Sequence, residues 1–176
     1  ASSSSHRLDG ANELYLSKNK LFIADDGNDR ISVYNTTNGT FEKAITSTLP
    51  SPFLSSYGET LLVSSAQEAA LYSLKAKGYG EALLSIPTEE INGNVVGATC
   101  VYDRYYLLTD GGYCYTLTQT GDAWGYVKTQ TLPYATAITA DVYGDLYVLY
   151  DDGDIHQFTE REFTTPNASG TKILEL

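Results

Sequence analysis

The chain alternates short apolar runs with turns rich in glycine and aspartate. Near its start, the run Leu21–Ala24 is followed by a turn at Asp26–Gly27 and by a second apolar stretch over Ile31–Tyr34. Short apolar runs bounded by turn residues are typical of buried strands. No stretch shows the 3.6-residue period of an amphipathic helix. The pattern therefore predicts an all-β protein made of strands and turns.

This strand–turn–strand pattern occurs four times at a nearly constant spacing. The hairpins begin at Leu21, Leu61, Tyr105 and Leu146, with steps of 40, 44 and 41 residues. One further strand precedes each hairpin and one follows it, so each unit of about 40 residues contains four short strands. Four strands at this period are the signature of a β-propeller blade. We therefore predict a β-propeller made of four-stranded antiparallel blades, with four blades visible.

The repeat also divides the chain into segments. Residues 1–11 are rich in serine and are predicted to form a flexible linker. The blades are predicted to cover residues 12–48, 49–91, 92–132 and 133–176, with first strands near Leu14, Phe53, Ala98 and Ala137. Because a blade lies between two neighbours, both faces of its inner strands are buried, which explains why apolar residues occur at consecutive positions.

The first unit resembles a known repeat family. Residues 21–34 combine an aliphatic strand, the pair Ala24-Asp25, a Gly-Asn turn, the pair Arg30-Ile31 and an aromatic residue. This segment resembles the signature of NHL-repeat propellers, whereas the other three units keep the spacing and lose these residues. The resemblance implies a propeller fold. It also implies a structural role for Asp25 and Arg30, which tie the turn of the blade together in that family.

How the ring is closed has three possible answers. The chain can be an open four-blade part of a longer protein, a closed four-blade disc, or an arc completed by another chain. Propellers of the NHL type usually have more than four blades, which favours a larger propeller. The chain contains no Met, so we expect that it was processed or cut from a longer protein.

Charge and composition narrow the function classes. The 176 residues include 22 Asp and Glu against 11 Lys and Arg, for a net charge of −11. The negative electrostatic field of such a chain repels polyanions, so nucleic acids and anionic membrane surfaces are disfavoured as partners. No apolar run approaches the roughly 18 residues that membrane insertion requires. Fifteen Tyr and fifteen Gly with few basic residues favour an extracellular or cell-surface location.

The turns between second and third strands fall on one rim of a propeller. Seven carboxylates at or beside these turns are predicted to share that rim: Asp25, Asp26, Asp29, Asp110, Asp151, Asp152 and Asp154. Clustered oxygens suit hard cations such as calcium, and the same charges attract a basic partner. The alternative is that these residues favour hairpin turns and point into water. The rim is therefore a candidate binding site, and the identity of a metal there is unknown.

Trp124 is a second kind of candidate, because it is predicted on a fourth strand at the outer edge of a blade. An aromatic side chain there can stack on a sugar or a peptide, or pack across strands. The two histidines, His6 and His156, show no Ser–His–Asp or Cys–His arrangement, so no catalytic residue is predicted.

The two cysteines, Cys100 and Cys114, are predicted on the first and third strands of one blade. The second strand separates them, so their backbones lie roughly 10 Å apart, which is beyond disulfide reach. We therefore predict two free thiols. Three N-x-S/T sequons, at Asn35, Asn38 and Asn167, lie in predicted loops and carry glycans only in a glycosylating secretory pathway.

Together these patterns favour a non-enzymatic binding or scaffold module that presents a propeller rim to a protein or glycan ligand. One alternative is a metal-dependent hydrolase or lyase with its active site in the axial funnel, which the lack of His in the predicted rim turns disfavours. Another is a structural spacer in a longer surface protein. No resident cofactor is predicted apart from calcium at the rim. Further blades, from the same parent chain or another, are also expected partners.

Overall fold

Strands form where the apolar runs predict them. The computed structural model describes residues 6–66 and 68–174. Blade 1 consists of β1 (Ala11–Ser17), β2 (Lys20–Asp25), β3 (Arg30–Asn35) and β4 (Phe41–Thr46). Blade 2 consists of β5 (Phe53–Tyr57), β6 (Thr60–Ser65), β7 (Glu68–Ser73) and β8 (Ala82–Ile86). Blade 3 consists of β9 (Val95–Val101), β10 (Arg104–Thr109), β11 (Tyr113–Thr120) and β12 (Ala123–Thr131). Blade 4 consists of β13 (Ala135–Ala140), β14 (Leu146–Tyr150), β15 (Ile155–Phe158) and β16 (Thr171–Leu174).

Each blade is an antiparallel meander whose strands are paired in chain order. The first strands, β1, β5, β9 and β13, pack beside one another in that order. The fourth strands therefore lie at the outer edge. This arrangement confirms the predicted fold class, since the chain is a partial β-propeller made of four-stranded antiparallel blades.

Three apolar cores fill the spaces between the blades. Strand β6 shows how one strand serves two of them. Leu61 and Val63 belong to the core shared with blade 1, whereas Leu62 belongs to the core shared with blade 3. All three side chains are fully buried, and burial of each contributes about 1.5–3 kcal/mol. The consecutive apolar positions are thus explained by burial on both faces of the strand.

The two end blades keep one face open. On blade 1, the side chains of Leu14 and Leu16 are 62% and 63% exposed. On blade 4, Leu149 and Leu174 are 36% and 43% exposed. These faces lack the neighbour that buries the equivalent residues elsewhere. The chain alone is therefore an open arc, and the closed four-blade disc is wrong for it.

Blade 4 contains a one-turn helix, α1 (Glu160–Phe163), that the sequence pattern did not predict. Its start is a capping box in which the Thr159 side chain accepts from the Glu162 N–H, and the Glu162 carboxylate accepts from the Thr159 N–H. Phe163 is buried with its ring 5.3 Å from that of Tyr106. Four residues are too few to show a helical period. In the described ranges, no helix is long and apolar enough to cross a membrane.

Part of the predicted linker lies along blade 1. The His6 ring packs edge-on against Phe41, with 4.4 Å between the ring centroids. Strand β1 already begins at Ala11, one residue inside the predicted linker. Residues 6–10 therefore cover the outer part of the open blade 1 face, while residues 1–5 of the predicted linker lie outside the described residues.

Both cysteines are free thiols, as predicted. Cys114 on β11 is fully buried, and this burial raises the pKa of its thiol. Cys100 on β9 is half-buried, with its Sγ 3.7 Å from the hydroxyl oxygen of Tyr15. Strand β10 pairs with both β9 and β11 and separates the two thiols.

Candidate functional site

Six of the predicted aspartates lie in the turns between second and third strands, on one side of the arc. We call this side the acidic rim, and its residues are Asp26, Asp29, Asp110, Asp151, Asp152 and Asp154. Blade 2 has Ala66 where blades 1, 3 and 4 have Asp26, Asp110 and Asp151. The rim therefore has two separate acidic groups, one on blade 1 and one on blades 3 and 4.

Asp25 is the exception, because it is the last residue of β2 and is fully buried. Its Oδ1 accepts hydrogen bonds from the Asp9 N–H (2.6 Å) and Asn28 Nδ2 (2.9 Å), and its Oδ2 accepts from Arg30 Nε (2.7 Å) and Ser32 Oγ (3.2 Å). Burial raises the pKa of this carboxyl, but the four hydrogen bonds outweigh burial and hold the pKa below its ordinary value. Asp25 is thus structural and is not presented to a ligand.

The other two aspartates of the blade 1 turn differ in whether their carboxylates are held by hydrogen bonds. Asp26 Oδ2 accepts from Asn12 Nδ2 at 2.5 Å and from the Ser51 N–H at 2.6 Å. These bonds tie the blade 1 turn to the connection that leads into blade 2. Asp29 is exposed and adopts a left-handed backbone conformation with φ of 49°. Of this pair, Asp29 is the one whose carboxylate faces solvent.

Asp110 and Asp151 come together in one cleft between blades 3 and 4, which we call the acidic cleft. The cleft has a volume of about 470 Å³, and Val96 and Tyr134 also line it. The Tyr134 side chain is 74% exposed beside the two carboxylates. Two negative charges and an exposed aromatic ring from different blades therefore share one surface depression.

Hydrogen bonds from the neighbouring connection fix the orientation of Asp110. Asn94 donates its Nδ2 to Asp110 Oδ2 (3.0 Å) and its backbone N–H to Asp110 Oδ1 (2.8 Å), and these bonds lower the pKa of the carboxyl. On the other wall, the Asp151 N–H donates to the Tyr134 carbonyl oxygen at 2.9 Å. The cleft is therefore preorganised, with Asp110 held in the charged form.

The remaining two rim aspartates line a neighbouring cleft of about 450 Å³ on blade 4. Asp154 Oδ2 lies 2.7 Å from Lys172 Nζ, so its charge is balanced within the chain. His156 lines the same cleft, with its Nδ1 2.7 Å from the Ser169 carbonyl oxygen. Within residues 6–66 and 68–174, no group of three or more His, Cys, Asp or Glu side chains is arranged to hold a metal ion.

Trp124 lies on the opposite rim, in a cleft between blades 2 and 3 that we call the aromatic cleft. The cleft has a volume of about 500 Å³, and Tyr57 and Leu83 line it beside Trp124. Three carboxylates, Glu59, Asp103 and Asp122, and the side chain of Lys75 also line it. The Trp124 ring is half-buried and rests against Tyr105, with 5.9 Å between the ring centroids. The exposed part of the Trp124 ring is thus bordered by carboxylates that can accept hydrogen bonds.

The sequence pattern did not identify the aromatic cleft, although a signal was available. Tyr57 is the last residue of the first strand of blade 2, and Tyr102 directly follows the first strand of blade 3. Their exposed rings meet edge-on, with 6.2 Å between the ring centroids. Aligning the turns between first and second strands would have placed these rings on one rim. The position of Tyr57 beside Trp124 depends on how blade 2 packs against blade 3.

The three sequons differ in their surroundings. Asn38 is exposed in the turn between β3 and β4, where its Oδ1 accepts from the Thr40 hydroxyl at 2.8 Å. Asn35 is half-buried and donates its Nδ2 to Glu42 Oε1 at 2.9 Å. Asn167 is exposed in blade 4. Asn38 and Asn167 therefore have the more open side chains.

No protein-family model matches the chain, and no curated protein matches it in sequence. The NHL resemblance therefore stays a prediction. In fold, the chain is similar to hydrazine synthase from Kuenenia stuttgartiensis, with a TM-score of 0.72 and 10% identity over 97% of this chain and 52% of that chain. It is similar to the β-propeller domain of Cps50 (Swd1) from Myceliophteria thermophila, with a TM-score of 0.69 and 12% identity over 89% of this chain and 54% of that chain.

BamB from Moraxella catarrhalis is a further similar structure, with a TM-score of 0.58 and 15% identity over 84% of this chain and 44% of that chain. The chain spans about half the length of these structures. At such identities, the likeness shows the propeller fold and carries no ligand or activity across. The features of this chain that bear on its function are therefore the two clefts.

Proposed function

We propose that this chain is a non-enzymatic binding module, outside the cell or at the cell surface, whose acidic rim binds a basic segment of a protein ligand. The observation that carries the proposal is the acidic cleft. There, Asp110 and Asp151 from two different blades lie beside the exposed ring of Tyr134.

The chemistry of the cleft suits an arginine or lysine side chain. Carboxylates attract the cationic group, and an aromatic face adds about 0.5–1 kcal/mol to such a contact at an exposed site. The net charge of −11 also speeds the approach of a basic partner. Because Asp110 is already oriented by Asn94, little side-chain entropy is lost when the ligand binds.

A binding role is favoured over a hydrolase or lyase by the position of the titratable groups. His6 packs against Phe41 on blade 1, and His156 is engaged with Ser169 in the neighbouring cleft. The acidic cleft thus offers carboxylates and a phenol, which suit recognition of a cation better than proton transfer at neutral pH.

The test uses a fluorescein-labelled oligoarginine peptide as probe and fluorescence anisotropy as readout. The variant Asp110→Asn with Asp151→Asn is expected to weaken binding about tenfold, which corresponds to about 1.4 kcal/mol. The matched control, Asp29→Asn with Asp152→Asn, removes the same charge from exposed positions outside the cleft and is expected to have a smaller effect. Binding of the parent should weaken when salt is raised from about 20 mM to about 300 mM. Equal losses in both variants would contradict the cleft as the site.

A glycan ligand is the second candidate, and the aromatic cleft favours it. A half-buried Trp124 beside Tyr57 offers a stacking surface for a sugar ring, and Glu59, Asp103 and Asp122 can accept hydrogen bonds from sugar hydroxyls. Trp124 is the only tryptophan in the chain, so its fluorescence reports on this cleft alone.

This second candidate is tested by titrating the protein with cellopentaose and with chitopentaose while recording tryptophan emission. A saturable change that is lost in Tyr57→Ala and kept in Tyr134→Ala would support a glycan site. An unchanged spectrum with both sugars and no binding of the oligoarginine probe would favour the alternative of a structural spacer.

The cell-surface location is supported by the composition and by the exposed sequons at Asn38 and Asn167. It is tested by labelling intact source cells with a membrane-impermeant biotin reagent. Recovery of the protein in the biotinylated or the secreted fraction is expected, and recovery only after cell lysis would contradict this location.

A further inference from the structure

The chain contains two Asn-Gly pairs, Asn38-Gly39 between β3 and β4 and Asn92-Gly93 between β8 and β9. An asparagine that precedes a glycine can react with its own main chain, because glycine has no Cβ to keep its backbone nitrogen away from the asparagine side chain. The two pairs have the same sequence. Any difference in their reactivity must therefore come from the fold.

The pair in blade 1 is held by hydrogen bonds. Asn38 Oδ1 accepts from the Thr40 N–H at 3.0 Å and from the Thr40 hydroxyl at 2.8 Å. The Gly39 N–H donates to the Asn35 carbonyl oxygen at 2.8 Å. Attack by the Gly39 nitrogen on the Asn38 side chain would break these three bonds. The turn thus opposes the reaction at Asn38.

The pair between blades 2 and 3 lacks this protection. The Asn92 side chain is exposed. Within the part of the chain that the structure describes, no hydrogen bond engages the Asn92 side-chain amide or the Gly93 N–H. The Asn92 N–H donates to the Tyr115 hydroxyl at 2.9 Å, which holds the backbone and leaves the side chain unrestrained. Both reacting groups of this pair are therefore available.

The fold also requires the glycine of this pair. Gly93 has a φ of +90°, and an added Cβ would lie 2.5 Å from Asp110 Oδ1 and 2.7 Å from the Gly111 nitrogen. A larger residue would disturb the contact in which the Asn94 N–H donates to Asp110 Oδ1. The residue that lets this connection approach Asp110 is thus the one that makes Asn92 reactive.

We propose that Asn92 is a site of self-modification, at which attack by the Gly93 nitrogen converts the asparagine to aspartate and isoaspartate, and that Asn38 is protected from the same reaction. The Gly93 nitrogen forms a bond to Asn92 Cγ and gives up its proton. The bond between Cγ and Nδ2 breaks, and the amide nitrogen takes up the proton and leaves as ammonia. Water then opens the resulting succinimide ring at either carbonyl carbon. One water is consumed and one ammonia is released, so no oxidant or enzyme takes part.

The modification alters the support of Asp110. Isoaspartate lengthens the main chain beside Asn94, whose side chain and N–H hold the Asp110 carboxylate and lower its pKa. Both products also add a carboxylate to this connection. Loss of hydrogen bonds and a nearby negative charge both raise the pKa of a carboxyl group. The reaction should therefore raise the pKa of Asp110 toward its ordinary value, whatever the acidic cleft binds.

The reaction is tested by incubating the folded protein at mildly alkaline pH and analysing its tryptic peptides by mass spectrometry. Trypsin places Asn38 in the peptide 31–43 and Asn92 in the peptide 78–104. Electron-transfer fragmentation locates the deamidated residue and identifies isoaspartate. Asn92 should react about tenfold faster than Asn38, because the hydrogen bonds of Asn38 must be broken first.

The same incubation in guanidinium chloride is the control, because unfolding removes the protecting bonds and should make the two rates similar. Equal rates in the folded protein would overturn the proposal. An Asn92 that stays an amide in the folded protein while it reacts in the unfolded one would overturn it as well.

The effect on the cleft is tested by a carbon-13 NMR titration of the Asp110 carboxyl before and after incubation. The pKa of Asp110 should rise in the parent and stay constant in Asn92→Gln, because the longer side chain of glutamine does not close the five-membered ring. Asp151 is present in both proteins, so its charge affects both titrations alike. An unchanged pKa in a parent that has reacted at Asn92 would overturn the link between the modification and Asp110.

Discussion

Blade 1 and blade 3 both carry an aspartate where their second strand meets the next turn, Asp25 in one and Asp110 in the other. In blade 1 the aspartate is the last strand residue and is fully buried. In blade 3 that strand position is Thr109, which is also fully buried, and Asp110 follows it on the surface. Because successive strand residues point in opposite directions, one step in register decides whether the carboxylate is buried at the end of the strand or exposed on the rim.

The two turns are consequently held in different ways. In blade 1, Asp25 joins the turn to the chain before β1 through the Asp9 N–H and to Arg30. Both turns have similar backbone bonds: Gly112 donates its N–H to the Thr109 carbonyl oxygen in blade 3, and Asp29 donates its N–H to the Asp26 carbonyl oxygen in blade 1. The difference lies in the carboxylates. Asp25 is fully buried among its donors, whereas Asp110 is oriented by Asn94 and stays exposed on the rim.

The largest effect is expected when the buried carboxylate is removed. Asp25→Ala leaves Arg30 without its charge partner and should lower the free energy of unfolding by about 3–5 kcal/mol. Asp110→Ala removes hydrogen bonds near the surface and should cost about 1 kcal/mol. Urea denaturation measures both values. Equal losses would mean that the two turns are held alike. The double variant of Asp25 and Arg30 should cost less than the sum of its single changes.

A smaller loss is expected when the backbone turn of blade 3 is changed. Gly112 has a φ of +74°, and an added Cβ would lie 2.9 Å from Pro133 Cα. Gly112→Ala should therefore cost about 3 kcal/mol through strain and crowding. The control is Gly121→Ala, because Gly121 has a similar φ of +63° with open space around it, and it should cost about 1 kcal/mol. Thermal unfolding of both variants is followed by circular dichroism. The cost that they share reports the backbone strain, and the additional cost of Gly112→Ala reports the crowding.

The comparison also predicts a pH dependence. The pKa of Asp25 is lower in the folded protein than the ordinary value of about 3.9, so its stabilising effect is present above that value and is lost as pH falls through the folded pKa. Between about pH 7 and about pH 2, the parent should lose more free energy of unfolding than Asp25→Ala. Parallel curves for the two proteins would show that Asp25 does not contribute this dependence.

The smallest effect on stability is expected at the exposed end of the acidic cleft. Asp151→Asn keeps the size of the side chain and alters a carboxylate that faces solvent, so the free energy of unfolding should change by less than about 0.5 kcal/mol. The same variant should weaken binding of the oligoarginine probe. A large stability loss here, measured by urea denaturation, would make Asp151 a structural residue like Asp25.

Much of the fold could be predicted because it depends on local patterns. Consecutive apolar residues such as Leu61–Val63 indicate strands buried on both faces, and their spacing of about 40 residues gives the blades. Helix α1 was missed because its stability depends on a capping box and on the burial of Phe163, which a period over four residues does not reveal. A local capping box and the long-range packing of Phe163 together form this turn.

The candidate site was predictable only in part. The repeat register places Asp110 and Asp151 on one rim, since both directly follow a second strand. It does not show that they share a cleft, because the distance between neighbouring blades is set by cores built from residues far apart in the chain. The same limit applies to Trp124, whose position beside Tyr57 depends on the packing of blade 2 against blade 3.

The three cores between blades also determine where the arc is expected to unfold first. Blades 2 and 3 each share two cores with neighbours, whereas blades 1 and 4 each share one. In such a linear array, nearest-neighbour coupling makes the ends fray before the middle. Amide protons of β6 and β10 should then exchange most slowly, and those of β1 and β16 most quickly. Within this chain the end blades are thus stabilised from one side only, whereas the two middle blades are stabilised from both sides.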